Sequence, residues 1–360
     1  MSAIAPFRVE IPQSDLDDLQ ARLALTRFAD EIPGAGQGVG VERVKRLVGH
    51  WRDGFDWRAL EAGLNAYPQF TTEIDGQNIH FLHVRNDDPD ALALILTHGW
   101  PGSIVEYLRA VEPLSRHFHL VIPSLPGYGF SGPTRELGWN NQRIARAWAE
   151  LMIRLGYERY GAVGNDAGSM ISPEVGRVAP EHVVGVHVTQ LFSFPSGDPA
   201  EFADLSEEDQ AGLAVLERFW NEMGAFNVLH SQQPQTLAHA VTDSPAGLVG
   251  WLAQLFDEDL DDEFVVANAA VHWFTGTAAS ALRLYWENAR AEQPKEPTTV
   301  PTALAMGEGD FTSMRRFAER DHTGITSWKT LPAPAHGHYT AHTATEALTS
   351  DIIEFFRDRD

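Results

Sequence analysis

Short, nearly uninterrupted apolar runs punctuate this chain at 91–96, 118–122, 160–163, 183–188, 299–306 and 328–331. Apolar residues at successive positions, rather than at alternate ones, predict strands buried on both faces, as in a parallel sheet. Helical periodicity separates these runs. Residues 141–155 lead into 160–163, a second helical stretch runs from Ser169 toward Val178, and an amphipathic helix continues through Phe356. The alternation predicts an α/β fold with a mostly parallel central sheet and helices on both faces. Residues 1–90 follow another pattern: helices over 13–24 and 41–51, then strands over 69–75 and 79–84 turned by Asp75-Gly76. No independent core is evident there, so this meander is expected to wrap the domain that follows. Beyond Pro195 the periodicity becomes helical and the charge denser as far as Asn288, which predicts an inserted helical lid. The expected division is a meander at 1–90, core segments at 91–195 and 293–360, and a lid at 196–292.

Composition narrows the class. A chain of 360 residues with 43% hydrophobic content can bury a substantial core, and one large domain with an insertion is more natural than two independent folds. There is no cysteine, which excludes disulfides, thiol catalysis and cysteine-based metal sites. The 50 acidic and 27 basic residues give a formal charge of −23. Such a surface repels nucleic acid and anionic membranes, and no basic block offsets it. The stretch Met1-Ser2-Ala3-Ile4-Ala5-Pro6 has neither a positive flank nor an apolar core, so it reads as no signal peptide or membrane anchor. The acidic run at 257–263 lacks the spacing of a calcium loop and is expected to be a solvated turn.

Candidate chemistry lies at the ends of the predicted strands. Gly164-Asn165-Asp166-Ala167-Gly168 follows the strand 160–163 and precedes a helix, in the small-x-nucleophile-x-small layout of a strand-to-helix elbow with aspartate at its centre. The central residue of such a turn is forced toward positive φ, and small neighbours let strand and helix pass closely. Read without the elbow, the pentapeptide is an ordinary Asn-Asp-Gly turn. A carboxylate at an elbow attacks saturated carbon, displaces alkoxide or halide, and leaves an ester on the enzyme. The run 91–96 empties into Thr97-His98-Gly99-Trp100-Pro101-Gly102-Ser103, a loop able to supply the Trp100 N–H as one half of an oxyanion hole, with the Ala167 N–H as the other. Near the C-terminus, Gly307-Glu308-Gly309-Asp310 follows one strand and Ala335-His336-Gly337-His338-Tyr339 follows the next. His338 is the best-placed histidine, with His336 and His342 as competitors. A His-x-His metal site is the other reading, disfavoured because no acidic or cysteine partner stands at ligand spacing.

Together these residues resemble the microsomal-type epoxide hydrolases, α/β-hydrolases with a helical lid and a long N-terminal meander. The likeness covers nearly the whole chain. It begins at Pro6-Phe7-Arg8-Val9-Glu10-Ile11-Pro12, takes in Asp56-Trp57-Arg58 and Phe70-Thr71-Thr72-Glu73-Ile74-Asp75-Gly76, passes through both loops above, and continues with Gln233-Pro234-Gln235-Thr236, Asp243-Ser244-Pro245-Ala246-Gly247-Leu248 and Arg283-Leu284-Tyr285-Trp286-Glu287-Asn288. The resemblance implies that Asp166 is the nucleophile, His338 the base that activates water, and Asp310 the acid that orients His338, with Glu308 as runner-up. It further implies a cofactor-independent hydrolase whose partners are a small epoxide and water. Relatives of this class often carry an N-terminal anchor; its absence here implies a cytoplasmic protein that binds neither membrane nor nucleic acid, and a homodimer is left open.

Two positions depart from the family pattern. Ala167 stands where an aromatic residue is common, which keeps the backbone donor but opens space above the carboxylate. Tyr285 matches one of two lid tyrosines that donate to the epoxide oxygen, but the other position, eight residues before Pro234, holds Phe226, which has no donor. His230 and Asn227 are the nearby substitutes, and Trp100, Phe226 and His230 are the expected pocket residues. Other aromatic residues of the lid suit an oily or aromatic epoxide. The rival readings are a dehalogenase, from which Ala167 removes the tryptophan donor expected beside the nucleophile, and a silent binding protein that retains the pocket.

Overall fold

The computed structural model of the protein describes residues 2–32, 34–332, 337–357 and 359. They form one sheet of nine strands among the described residues: β1 (Ala5–Phe7), β2 (Gln69–Ile74), β3 (Gln77–Val84), β4 (Ala93–Thr97), β5 (His119–Pro123), β6 (Tyr160–Gly164), β7 (Val183–Val188), β8 (Thr302–Met306) and β9 (Ile325–Thr330). Their spatial order is β1-β2-β3-β5-β4-β6-β7-β8-β9. The strands from β5 to β9 are mutually parallel, whereas β1, β2 and β3 join them as an antiparallel flank. The N-terminal segment therefore does more than wrap the domain, since it extends the domain's own sheet.

The central strands are where the sequence pattern is plainest, for a physical reason. Every residue of β4, β5 and β6 is buried. Full burial of a side chain such as Leu94, Ile95 or Leu96 contributes about 1.5–3 kcal/mol each, so an apolar run of this kind is stable only with both faces covered. The edges carry less signal. The strand expected at 328–331 begins at Ile325 and is largely exposed or half-buried, and β1 is a three-residue edge without any apolar run. The elbow helix starts at Ala167, two residues earlier than its periodicity indicates.

Between β7 and β8 lie the helices Glu207–Arg218, Ala225–Gln232, Pro234–Asp243, Pro245–Ala253, Asp262–Phe274 and Ala278–Asn288. The N-terminal segment holds this insertion as well as the sheet. Arg43 donates to the carbonyls of Phe256 and Asp257 at 2.7 and 2.9 Å, His50 pairs with Glu263 at 2.9 Å, and the Trp57 and Phe274 rings lie 4.6 Å apart. The acidic run at 257–263 is consequently more than a solvated turn: Asp261 caps the helix Asp262–Phe274 by accepting the Phe264 N–H at 2.8 Å, and its other oxygen meets His342. No helix among the described residues is long and apolar enough to cross a membrane.

Candidate active site

Strand β6 ends at Gly164, and the chain reverses into the helix Ala167–Val178 through Asp166, whose φ is +54°. The turn is possible because its neighbours have no side chains to collide. A Cβ on Gly164 would strike the Gly168 carbonyl, one on Gly168 the Thr97 carbonyl, and one on Gly99 the Asp166 carboxylate. A non-glycine residue at positive φ is held there only by its surroundings. Here Gln190, just past the end of β7, accepts the Asp166 N–H at 2.9 Å, and Ser169 donates to the same Gln190 oxygen at 2.9 Å.

The loop after β4 meets the elbow directly. The Trp100 N–H donates to Asp166 Oδ1 at 2.9 Å, and the Ala167 N–H is a second backbone group that favours the carboxylate's charge. Burial is the largest influence on Asp166 and raises its pKa, against the lowering effects of His338 and these two amides. His98 secures the loop: its Nδ1 faces the Gly99 carbonyl at 3.1 Å and its Nε2 accepts the Leu125 N–H at 3.2 Å.

Asp310 and His338 arrive from the loops after β8 and β9. His338 Nδ1 lies 2.9 Å from Asp310 Oδ1, and His338 Nε2 lies 3.6 Å from Asp166 Oδ2. Gln190 donates its amide to the remaining Asp310 oxygen. Burial disfavours a charged His338, but the charge and hydrogen bond of Asp310, followed by the charges of Asp166 and Glu106, outweigh it and raise the pKa to about 10. Burial likewise opposes the Asp310 charge, and His338 and Gln190 overcome it, so that Asp310 stays below its usual range. Two of the competitors stand apart from this pair. His342 is 2.7 Å from Asp261, Glu308 is exposed, and His336 falls outside the described residues. Among the described residues no group of three or more histidine or acidic side chains is arranged to hold a metal ion.

An aromatic wall completes the site. The Tyr285 ring, on the helix Ala278–Asn288, lies 6.1 Å from Trp100, 5.9 Å from Phe226 and 5.0 Å from His230. Phe226 is stacked on Trp100 at 5.6 Å, while Asn227 is half-buried and accepts from Ser231. Burial keeps the Tyr285 phenol well above its ordinary pKa, and so protonated.

Two residues escaped the sequence reading. Glu106, in the turn Ile104–Tyr107, is 1% exposed, and neither of its oxygens makes a hydrogen bond of good geometry among the described residues. Burial pushes it up to about 8, against the lowering effect of His338. A lone charge inside the apolar run Ile104-Val105-Glu106-Tyr107-Leu108 was its signal. Gln190 was detectable only as a polar residue at the carboxyl end of a parallel strand, which is where α/β sheets place their sites.

A mostly parallel sheet with a tight strand-to-helix elbow after one strand, an acid and a histidine after later strands, and helices inserted between is the α/β-hydrolase fold. The chain matches the family model "alpha/beta hydrolase fold" over residues 93–311 and "Epoxide hydrolase N terminus" over residues 4–107. It is 35% identical to a putative epoxide hydrolase of Stigmatella aurantiaca, over 98% of this chain and 85% of that one. It superposes on the Aspergillus niger epoxide hydrolase with a TM-score of 0.87 and 29% identity, covering 99% of this chain and 97% of that structure. The juvenile hormone epoxide hydrolase of the silkworm Bombyx mori shares the fold with a TM-score of 0.89 at 23% identity, covering 99% and 95%. The chain belongs to the microsomal-type epoxide hydrolase family.

Proposed function

We propose that this enzyme converts an apolar or aromatic epoxide to a vicinal diol through an ester on Asp166, beneath a lid formed by the helices between β7 and β8. Asp166 Oδ1 is engaged by the Trp100 amide, which leaves Oδ2 to attack a ring carbon. The ring C–O bond breaks, the released oxygen takes the Tyr285 phenolic proton, and the phenolate is reprotonated through water by the proton that His338 gives up, which leaves the imidazole neutral. In the second step His338 Nε2 removes a proton from water as that water attacks the ester carbon. The oxyanion forms on Oδ1 against the Trp100 and Ala167 amides, and collapse expels the diol oxygen, which takes the proton from His338; the carboxyl left on Asp166 then returns its proton to the imidazole.

The observation that carries this reading is the contact of His338 with two carboxylates, Asp310 at 2.9 Å and Asp166 at 3.6 Å. In the resting enzyme those charges hold the imidazole protonated, a form that cannot act as a base. Esterification removes the Asp166 charge, and with it part of the force that keeps the proton on. His338 thus becomes a base only once there is an ester to hydrolyse, and the water step follows ring opening rather than competing with it.

A single turnover in H₂¹⁸O tests the assignment. The first diol should carry unlabelled oxygen from Asp166, and the label should enter the carboxylate. Label in the first diol would mean direct attack by water and would remove Asp166 from the nucleophile role.

A further inference from the structure

His230 lies one helical turn beyond Phe226, on the helix Ala225–Gln232, and its ring is fully buried. It stands edge-on to Trp100 at 4.6 Å and to Tyr285 at 5.0 Å, and 6.0 Å from Phe226. The Trp251 indole N–H donates to His230 Nε2 at 3.0 Å. An indole nitrogen only donates, so Nε2 must present its lone pair, and the single ring proton resides on Nδ1. That Nδ1 is buried with no hydrogen-bond partner among the described residues. An orphaned buried donor costs stability, and a fold that keeps one beside a reactive site has left a place for a partner.

We propose that the His230 Nδ1–H is the second hydrogen-bond donor to the epoxide oxygen, facing the same atom as the Tyr285 phenol and replacing a donor that Phe226 does not have. The proposal rests on the reading of Asp166 as nucleophile and Tyr285 as proton donor. Burial pushes His230 down to about 3, so the ring remains neutral wherever the enzyme is folded and active. A neutral imidazole N–H is too weak an acid to surrender its proton. The two donors therefore divide the work: His230 stabilises the oxygen as negative charge develops, and Tyr285 supplies the proton that makes it a hydroxyl. Trp251 acts through His230, by fixing which ring nitrogen carries the proton.

Two amide substitutions separate this role from packing. His230→Asn can put its amide N–H where Nδ1 was but falls short of Trp251, whereas His230→Gln can keep an acceptor for Trp251 while withdrawing the Nδ1 donor. Each variant, with His230→Phe as the full deletion, is mixed with styrene oxide in a single turnover. The rate at which the adduct appears on the Asp166 peptide and the rate at which it decays are followed separately by mass. Adduct formation should slow by roughly ten- to a hundredfold in His230→Gln and His230→Phe, remain within about threefold of wild type in His230→Asn, and decay unchanged in all three. Adding Phe226→Tyr to His230→Gln should restore part of the loss. Wild-type adduct formation in His230→Gln and His230→Phe would overturn the role of His230 alone. So would a His230→Asn variant as impaired as His230→Phe, because a donor restored at the Nδ1 position would then have no effect on ring opening. A wild-type chain that forms no adduct on the Asp166 peptide would overturn both this proposal and the nucleophile assignment on which it rests.

Discussion

Gln190 and Asp310 meet through their side chains, the Gln190 amide donating to the Asp310 oxygen that His338 does not use. The same Gln190 side chain accepts the Asp166 N–H at 2.9 Å and donates to Asn165 Oδ1 at 2.9 Å. One fully buried amide thus ties the elbow to the acid across the end of β7.

Gln190→Met preserves volume but leaves the buried Asp166 amide and one Asp310 oxygen short of partners, while the Ser169 hydroxyl keeps the Gly164 carbonyl. Each buried group left unsatisfied costs about 1–3 kcal/mol, so chemical denaturation should report a loss on the order of 2–5 kcal/mol. The ester-hydrolysis step should slow by roughly tenfold, the equivalent of one weakened hydrogen bond on Asp310. A variant with unchanged stability and unchanged hydrolysis would mean that the elbow is positioned without Gln190.

His338→Gln should separate the two chemical steps. In the proposed mechanism carboxylate attack does not need the imidazole as a base, but activation of water does, so hydrolysis should fall by roughly a hundred- to ten-thousandfold while an epoxide adduct accumulates on the peptide containing Asp166. Asp310→Asn should impair the same step less completely, because the imidazole and the oxyanion hole remain. Unchanged steady-state turnover in His338→Gln would move the base role to another histidine.

The sequence exposed most of this arrangement because the demands on it are local. An elbow needs small residues beside its nucleophile, and Gly164 and Gly168 announce that need without any tertiary information. Buried central strands have to be apolar throughout, so β4 through β7 were plain, whereas the edge strands β1 and β9 have a solvent side and no such constraint. Relations between distant segments were not legible. Nothing near Glu106 in the chain shows that its carboxyl lies by His338, and the contribution of β1, β2 and β3 to the main sheet depends on β3 pairing with β5. The place after Gly337 already favours His338, but choosing Asp310 over Glu308 required the resemblance, since the two stand two residues apart after the same strand and local pattern does not distinguish them.

Two groups should make the folded protein lose stability toward alkaline pH. The His338 pKa is raised from 6.5 to about 10, so the stability it contributes is fully present below about pH 6.5 and is lost as pH rises through 10. The Glu106 carboxyl, raised from 4.5 to about 8, also binds its proton more tightly when folded, and its contribution is lost as pH rises from about 4.5 through 8. In a Glu106→Gln background the decline between pH 7 and 10 should persist, because His338 alone can cause it. In the Glu106→Gln/His338→Gln double variant that decline should flatten. Denaturant midpoints measured across the range decide the matter, and an equal alkaline decline in both variants would show that the His338 proton is not what couples folding to pH.

Tyr285→Phe should, on the proposed mechanism, affect ring opening alone. The phenol is the only neutral acid on the aromatic wall that can hand over a proton, because Phe226 has none and the buried His230 N–H is too weak an acid. A donor aimed at developing negative charge in a dry site is typically worth about 3 kcal/mol, roughly a hundredfold in rate. Pre-steady-state formation of the Asp166 ester should therefore slow by about that factor in Tyr285→Phe. Decay of any ester that does form should proceed at the wild-type rate, because the His338 step does not use the phenol. Loss of both steps together would indicate a disturbed lid rather than a missing acid. Ester formation at the wild-type rate would place the proton donor elsewhere on the wall.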